Sequence, residues 1–127
     1  MNIKKATALL VVDRIEPCLS VWEMLGLART VEVAHEGALG FVILAGNGVE
    51  VMLQTRASLE VDAPIVAKHA GSSLLYCDVD SLAEACSAVK ASKGCTILIE
   101  ERNTPYGARE LWMLDASGHV VGFAERA

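Results

Sequence analysis

The chain has 127 residues, of which 53% are hydrophobic and 21% are charged, and its 11 Lys and Arg against 16 Asp and Glu give a net charge of -5. This length and apolar content predict one ordinary folded domain and exclude a disordered chain. The scattered basic residues argue against nucleic acid as a partner. The longest apolar run, Ala8 to Val12, is too short to cross a membrane, so we expect a cytoplasmic protein without a membrane partner. The four cysteines form no CxxC motif and are expected to be reduced thiols.

The first half of the chain predicts one helix among four strands. Ala6 to Val12 is typical of a strand that is buried on both faces. The segment "EPCLSVWEMLG" predicts a short amphipathic helix, with Pro17 in its first turn, Trp22 on its core-facing stripe and Gly26 at its end. Three further strands are separated by the turn sequences "HEG" and "GNG". These strands are Arg29 to Ala34, Leu39 to Ala45 and Val49 to Thr55.

The second half repeats this order after a linker. The segment 56–70 lacks sustained periodicity and contains Pro64, so we expect a linker with one helical turn. Ser81 and Glu84 then form an S-x-x-E capping box at the start of a second helix. The predicted strands around this helix are Leu74 to Cys77, Thr96 to Glu100, Ala108 to Leu114 and Val120 to Glu125. We expect a single domain made of module 1 (about 4–55), the linker and module 2 (about 71–127).

The two halves also match residue by residue. "ALLVVDRIEP", from Ala8, lies over "SLLYCDVDSL", from Ser73, at an offset of 65 positions. "GVEVMLQ", from Gly48, lies over "VVGFAER", from Val120, at an offset of 72 positions. Such internal repetition predicts two copies of one β-α-β-β-β unit.

The last predicted hairpin contains a glycine inside an apolar strand. Gly122 offers no side chain to pack, so a neighbouring group is expected to need the space. The turn "DASGH" favours a type I turn with Gly118 in the left-handed conformation and a G1 bulge, which sets Trp112 opposite Gly122. A two-residue turn would instead direct Leu111 and Met113 to that face. We favour the bulge.

Two segments carry a family resemblance. The hairpin "YGARELWMLDASGHVVGFAE" and the helix "PCLSVWEMLGL", together with the repeated β-α-β-β-β order, resemble the vicinal oxygen chelate superfamily of glyoxalase I, bleomycin-resistance proteins and extradiol dioxygenases. The hairpin is similar to that superfamily's YG-x-R-E-(4 residues)-DPDG pattern, although Ala116 and Ser117 replace its Pro-Asp. The matching residues are Tyr106, Gly107, Arg109, Glu110, Asp115, Gly118 and Phe123. The resemblance implies an α+β fold, in which two modules form a curved mixed-sheet cup with helices outside, and a homodimer.

Enzymes of this superfamily hold a divalent metal, and the resemblance assigns its ligand positions to Ala6, Glu50, Gly71 and Gly122. Only Glu50 can coordinate, whereas catalytic metals need several protein ligands. The three histidines are predicted in a turn, the linker and a hairpin loop, so they form no ligand set: His35, His69 and His119. We therefore expect no metal and no cofactor.

Side chains alternate between the faces of a strand, so the ligand positions also define which residues line the cup. The predicted lining is Glu50, Met52, Gln54, Ser73, Leu75, Tyr106, Glu110 and Trp112. This set contains two carboxylates and aromatic rings, and we identify no cation on the same faces. Such a lining suits a flat or partly apolar ligand with a cationic group, through stacking and cation-π attraction.

These observations favour a metal-free, homodimeric small-molecule-binding protein without catalytic residues, which sequesters an aromatic or cationic compound in a resistance-like role. One alternative is a lyase, isomerase or oxygenase, with unrecognised metal ligands or with Glu50 or Glu110 as a general base. The other alternative is a structural or partner-binding module whose cup is filled by its own side chains.

Overall fold

The computed structural model describes residues 5–71, 74–105 and 107–126. The strands are β1 (Ala8–Val12), β2 (Ala28–His35), β3 (Ala38–Gly46), β4 (Val49–Thr55), β5 (Leu75–Asp78), β6 (Thr96–Asn103), β7 (Ala108–Leu114) and β8 (Val120–Arg126). The helices are α1 (Leu19–Met24), which follows a 3-10 turn at Glu16–Cys18, α2 (Arg56–Asp62), α3 (Pro64–His69) and α4 (Leu82–Ala91). Within the described ranges, no helix is long and apolar enough to span a membrane.

The strands form two four-stranded sheets with the same topology. Their orders are β1-β4-β3-β2 and β5-β8-β7-β6. In each sheet the first and last strands of the module pair in parallel, and the remaining pairs are antiparallel. The predicted α+β fold of two β-α-β-β-β modules with mixed sheets is confirmed.

The chain divides into two compact units, which do not follow the chain order. Unit 1 contains described residues 5–16 and 26–71, and unit 2 contains described residues 17–25, 74–105 and 107–126. The helix of the first module, α1, therefore belongs to unit 2, where it packs against α4. In unit 1, α2 packs on β1, β3 and β4.

The segment 56–70, expected to be a linker with one helical turn, forms two short helices instead. The Thr55 hydroxyl accepts a hydrogen bond from the Ser58 N-H at 3.1 Å and thereby caps α2. Pro64 then stands in the first turn of α3, where its missing N-H removes no helical hydrogen bond. Pro64 therefore marks the start of α3 and does not indicate a linker.

Unit 2 buries its core between its sheet and its helices. The Phe123 side chain on β8 is fully buried, and its ring centroid lies 6.3 Å from that of Trp22 on α1. Leu111 and Met113 of β7 are likewise fully buried. Trp22 is therefore a core residue, as predicted. We call this side of the unit 2 sheet its helix face.

The parallel strands pair in a register that differs from the residue-level repeat. β4 and β8 correspond at the predicted offset of 72, which equates Val51 with Phe123. Val51 pairs with Ala8, and Phe123 pairs with Cys77, so β1 and β5 correspond at an offset of 69 rather than 65. No short turn joins these parallel strands, so side-chain packing sets their register.

Candidate functional site

The last hairpin adopts the bulged turn. The N-H of Asp115 donates to the carbonyl of His119 at 2.9 Å, and Gly118 has φ +86°. The Asp115 carboxylate also accepts from the N-H of His119 at 2.8 Å, which holds the turn together. Trp112 consequently pairs with Gly122 across the hairpin. The predicted bulge and strand parity are confirmed.

The Trp112 ring fills the space above Gly122. A Cβ added to Gly122 would lie 2.8 to 2.9 Å from three consecutive atoms of the six-membered ring. Nearly equal distances to consecutive ring atoms place the Cβ position over the face of the ring, because an in-plane approach would leave the outer two atoms farther away. The six-membered ring of the indole therefore covers the place that a side chain at position 122 would take. The glycine is required by this close approach.

A second aromatic ring reaches the same glycine from the other side. Tyr76 on β5 pairs with Gly122 in the parallel register, and its ring centroid lies 5.7 Å from that of Trp112, with 43° between the planes. This spacing is typical of a favourable aromatic contact. Tyr76 remains 38% exposed. We call Tyr76 and Trp112 the aromatic pair, and the side of the sheet that carries them the aromatic face.

The prediction that Leu75 shares this face is wrong. Leu75 pairs with Val121, which itself pairs with Met113 on the helix face. The ligand position assigned to Gly71 implied that odd-numbered residues of β5 share the face of Gly122, whereas the structure pairs Tyr76 with Gly122, so Tyr76 takes the place expected for Leu75. The predicted lining residues Ser73 and Tyr106 lie outside the described residues.

Glu110 lies beside the aromatic pair and is fully buried. Its Oε1 accepts from Arg102 Nε at 2.8 Å and from Trp112 Nε1 at 3.0 Å, and its Oε2 accepts from the Tyr76 hydroxyl. The Arg102 Nη2 also lies 2.8 Å from Oε1. A carboxylate tolerates complete burial only with such a cation and donors around it. Glu110 thus anchors both rings of the aromatic pair.

Arg102 contradicts the prediction that the aromatic face holds no cation. The sequence pattern had ended the strand at Glu100, but β6 continues to Asn103 and pairs Arg102 with Glu110. The sequence signal for this longer strand is the opposite charge of Arg102 and Glu110, because oppositely charged cross-strand neighbours stabilise an antiparallel pair. The Glu110 charge is therefore compensated within its own unit.

In unit 1, the predicted lining residues of β4 share one face by alternation: Glu50, Met52 and Gln54. The Lys5 ammonium lies 2.8 Å from Glu50, and this hydrogen bond holds the pKa of the Glu50 carboxyl below its ordinary value. The Thr7 hydroxyl donates to the same carboxylate at 3.3 Å. The amide of Gln54 is buried and donates to Ser58 at 3.3 Å. Glu50 is therefore also paired with a cation.

The residues present do not fit the metal that the resemblance implies. The β1 residue beside Glu50 is Thr7 rather than Ala6, because Ala8 pairs with Val51 on the opposite face. Gly122 brings no donor, and a tryptophan ring covers it. In the described part of the chain, no three residues of His, Cys, Asp or Glu form a group that could hold a metal ion. Among the described residues, these positions supply the hydroxyls of Thr7 and Tyr76 and the ion-paired carboxylate of Glu50, a set that does not suit a catalytic metal.

Comparison with solved structures identifies the fold. A glyoxalase-related enzyme from Fulvimarina pelagi matches with a TM-score of 0.73 and 18% identity, over 97% of this chain and 88% of that chain. A glyoxalase/bleomycin resistance protein/dioxygenase family enzyme from Burkholderia phytofirmans PsJN matches with a TM-score of 0.72 and 14% identity, over 95% and 97% of the two chains. The bleomycin resistance determinant encoded on the transposon Tn5 matches with a TM-score of 0.64 and 18% identity, over 98% of each chain.

These matches confirm the predicted resemblance to the vicinal oxygen chelate superfamily at the level of the fold. The structural neighbours of this chain include both a bleomycin resistance protein and a glyoxalase-related enzyme. No protein-family profile matches the chain, and no curated protein does. At these identities the likeness shows the fold alone, so function has to be argued from the residues.

Proposed function

We propose that this protein binds a planar aromatic small molecule on the aromatic face of unit 2, without a metal, a cofactor or a catalytic residue. The observation that carries this proposal is the aromatic pair, Tyr76 and Trp112, held together over Gly122. Flat ligands stack favourably on such rings, and removal of their apolar surface from water supplies about 25 cal/mol per Å² before the costs of association.

Both rings are held before any ligand arrives. Trp112 lies on Gly122 and donates its Nε1-H to Glu110, while the Tyr76 hydroxyl donates to the second oxygen of the same carboxylate. Side chains fixed in this way lose little further freedom on binding. The arrangement therefore favours a preorganised binding surface.

The same contacts argue against catalysis by the two carboxylates. Glu110 is fully buried among its hydrogen-bond donors, so a substrate would have to displace one of them to reach it. Glu50 is ion-paired, and its lowered pKa makes it a weak general base at neutral pH. With the unsuitable metal donors, these observations favour binding over the enzyme alternative. A resistance-like role by sequestration remains part of the proposal, supported by the fold shared with the Tn5 determinant.

We also propose a cytoplasmic homodimer. The outer strands β2 and β6 are exposed along nearly their whole length, and they carry solvent-exposed apolar side chains, including Val33 and Leu98. Open edges of this kind associate unless they are covered. Sedimentation equilibrium should give the mass of a dimer, and a monomer that persists at high protein concentration would contradict this part. The four free cysteines agree with a reducing compartment.

The binding proposal is tested by fluorescence. Because the chain has two tryptophans, Trp22→Phe leaves Trp112 as the reporter. Titration with planar aromatic fragments should give saturable quenching, and a fragment at 100 times its Kd should stabilise the fold by about 2.7 kcal/mol. Tyr76→Leu should weaken binding about tenfold through loss of the ring contact, whereas the control Tyr76→Phe keeps the ring and should bind within about twofold.

Two results would overturn the proposal. Unchanged affinity in Tyr76→Leu would place the ligand elsewhere. Stoichiometric zinc, nickel, manganese or iron in protein purified without chelator, with stability lost on chelation, would favour the metalloenzyme.

A further inference from the structure

The sheet of unit 1 carries apolar side chains on both of its faces. One face belongs to the core, and its residues are at most 8% exposed: Leu10, Val42, Leu44, Val51 and Leu53. When the second face of such a sheet is open to solvent, it normally carries polar side chains. The second face of this sheet is apolar although solvent reaches it.

Four apolar residues cross this second face in one line. Leu9 of β1 pairs with Met52 of β4, Met52 pairs with Ile43 of β3, and Ile43 pairs with Val31 of β2. Residues paired in this way point to the same side of a sheet. Leu9 is 41% exposed and Val31 is 40% exposed, while Met52 and Ile43 are half-buried. We call these four residues the aliphatic row.

Polar residues border the aliphatic row on both sides along β4. Glu50 lies on one side, where the Lys5 ammonium is 2.8 Å from its carboxylate. Gln54 lies on the other side, where its amide donates to the Ser58 hydroxyl at 3.3 Å. The carboxylate charge is therefore compensated by a cation, and the row itself offers only apolar contact.

The size of this apolar surface distinguishes between the molecules that could cover it. Along β3, the half-buried residues Leu39, Phe41 and Ile43 alternate on this face. The surface thus measures about 14 Å along β3 and about 14 Å across the four strands, or on the order of 200 Å². A stable protein interface buries about 800 Å² on each partner, so a second copy of the chain needs far more surface than this. An exposed apolar patch of this size suits a small molecule.

We infer that the aliphatic row binds an uncharged aliphatic molecule, at a second site that lies in unit 1 and goes beyond the proposed function. The row contains branched side chains and a flexible thioether, which adapt to an alkyl chain, and it contains no ring for stacking. Removal of apolar surface from water drives this binding. A charged head group would lose hydration without meeting an uncompensated partner in the row.

The methyl resonances of methionine test this inference in the full chain. Protein labelled with ¹³C at its methionine methyl groups is titrated with 1-octanol, octanoate and octylammonium, which carry the same alkyl chain. Octanol should shift the Met52 resonance to saturation and bind at least as tightly as either ion. The fully buried Met113 should not shift. Met24, which is 53% exposed on α1, reports non-specific adsorption and should not saturate.

Matched variants locate the binding site. Ile43→Ser places a hydroxyl in the middle of the row and should weaken octanol binding about tenfold, whereas Ile43→Val should retain most of the affinity. The control Val49→Ser removes a 53% exposed side chain from β4, which by alternation points to the other face, and should change the affinity less than about twofold. Urea denaturation verifies that each variant is folded.

The outcomes separate this inference from the proposed function. The planar aromatic probe 2-naphthoate reports on the aromatic face through Trp112, and Tyr76→Leu should weaken its binding while leaving that of octanol unchanged. If octanol gives no saturable Met52 shift, or binds Ile43→Ser equally well, the aliphatic site is wrong and the aromatic face stands. An ion that binds more tightly than octanol would overturn the uncharged ligand. A Met52 shift that depends on protein concentration without octanol would instead place a second copy on the row.

Discussion

In unit 1, the last strand of the sheet carries Glu50 opposite Ala45 of its hairpin partner, whereas unit 2 has Gly122 opposite Trp112. The two positions correspond at the offset of 72 and occupy the same place in the same topology. The larger side chain of each pair therefore lies on β4 in unit 1 and on β7 in unit 2. Where one residue of a cross-strand pair is small, its neighbour has room for a large side chain.

The strand on the other side of each position shows the same difference. Thr7 lies beside Glu50 and bonds to it, while Tyr76 lies beside Gly122. The site around Glu50 in unit 1 is therefore polar and contains an ion pair. The site around Gly122 in unit 2 instead has two aromatic rings in contact above the glycine. The comparison indicates that a single fold can hold either a carboxylate or an aromatic surface at one site, depending on which strand carries the larger side chain.

The two sites should differ most in how much their cations contribute to the free energy of unfolding. Arg102→Ala leaves the fully buried Glu110 without its countercharge, and we expect a loss of about 3 kcal/mol in the free energy of unfolding. Lys5→Ala removes the cation from Glu50, which water reaches, and should cause no measurable change. Urea denaturation of both variants checks this. Similar losses of stability in the two variants would show that the two sites do not differ as described.

A smaller effect is expected from filling the glycine position. Gly122→Ala places a methyl group 2.8 Å from the Trp112 ring, and overpacking of this kind costs about 1 to 3 kcal/mol. The control Gly71→Ala adds a methyl group that meets nothing within 4 Å and should be nearly neutral. In a Trp112→Leu background the alanine should become better tolerated. A cost that stays the same without the ring would rule out the close approach as its cause.

The smallest effect is a pH dependence in unit 2. Glu125 accepts from the N-H of Leu82 at the start of α4 and pairs with Arg109, and these contacts lower its pKa below the ordinary 4.5. A lowered pKa in the folded state adds stability above the ordinary value, which is lost as pH falls through the folded pKa. Glu125→Gln should therefore reduce the fall in stability between about pH 5 and pH 3. An unchanged pH profile would contradict this assignment.

Local patterns in the sequence predicted the final hairpin well. The bulged turn follows from Asp115 and Gly118, whose side-chain and backbone preferences act within five residues. That turn fixes the antiparallel register, so the pairing of Trp112 with Gly122 could be predicted before the structure was known. The core position of Trp22 was also predictable, because the amphipathic stripe of its helix is local.

Local patterns in the sequence did not predict which residues pair between other strands. Tyr76 reaches the aromatic face through a parallel pair whose strands are joined by more than 40 residues, so no turn fixes their register. The length of β6 depends on its partner β7, which carries Glu110 opposite Arg102 and extends the pairing beyond Glu100. Tyr76 was therefore missed because its partner strand is distant in the sequence. Arg102 was missed because the length of β6 is set by its pairing with the next strand, β7.

The central claim is that an aromatic ligand lies on Trp112 in unit 2, and the indole N-H resonances of the two tryptophans test it most directly. In a ¹H-¹⁵N spectrum of the wild-type protein titrated with 2-naphthoate, the Trp112 resonance should shift progressively to saturation, because its Nε1-H bonds to Glu110 beside the bound ring. The Trp22 resonance, from the buried helix face, should stay in place. A shift of Trp22 alone, or of neither resonance at saturating ligand, would contradict the proposed site.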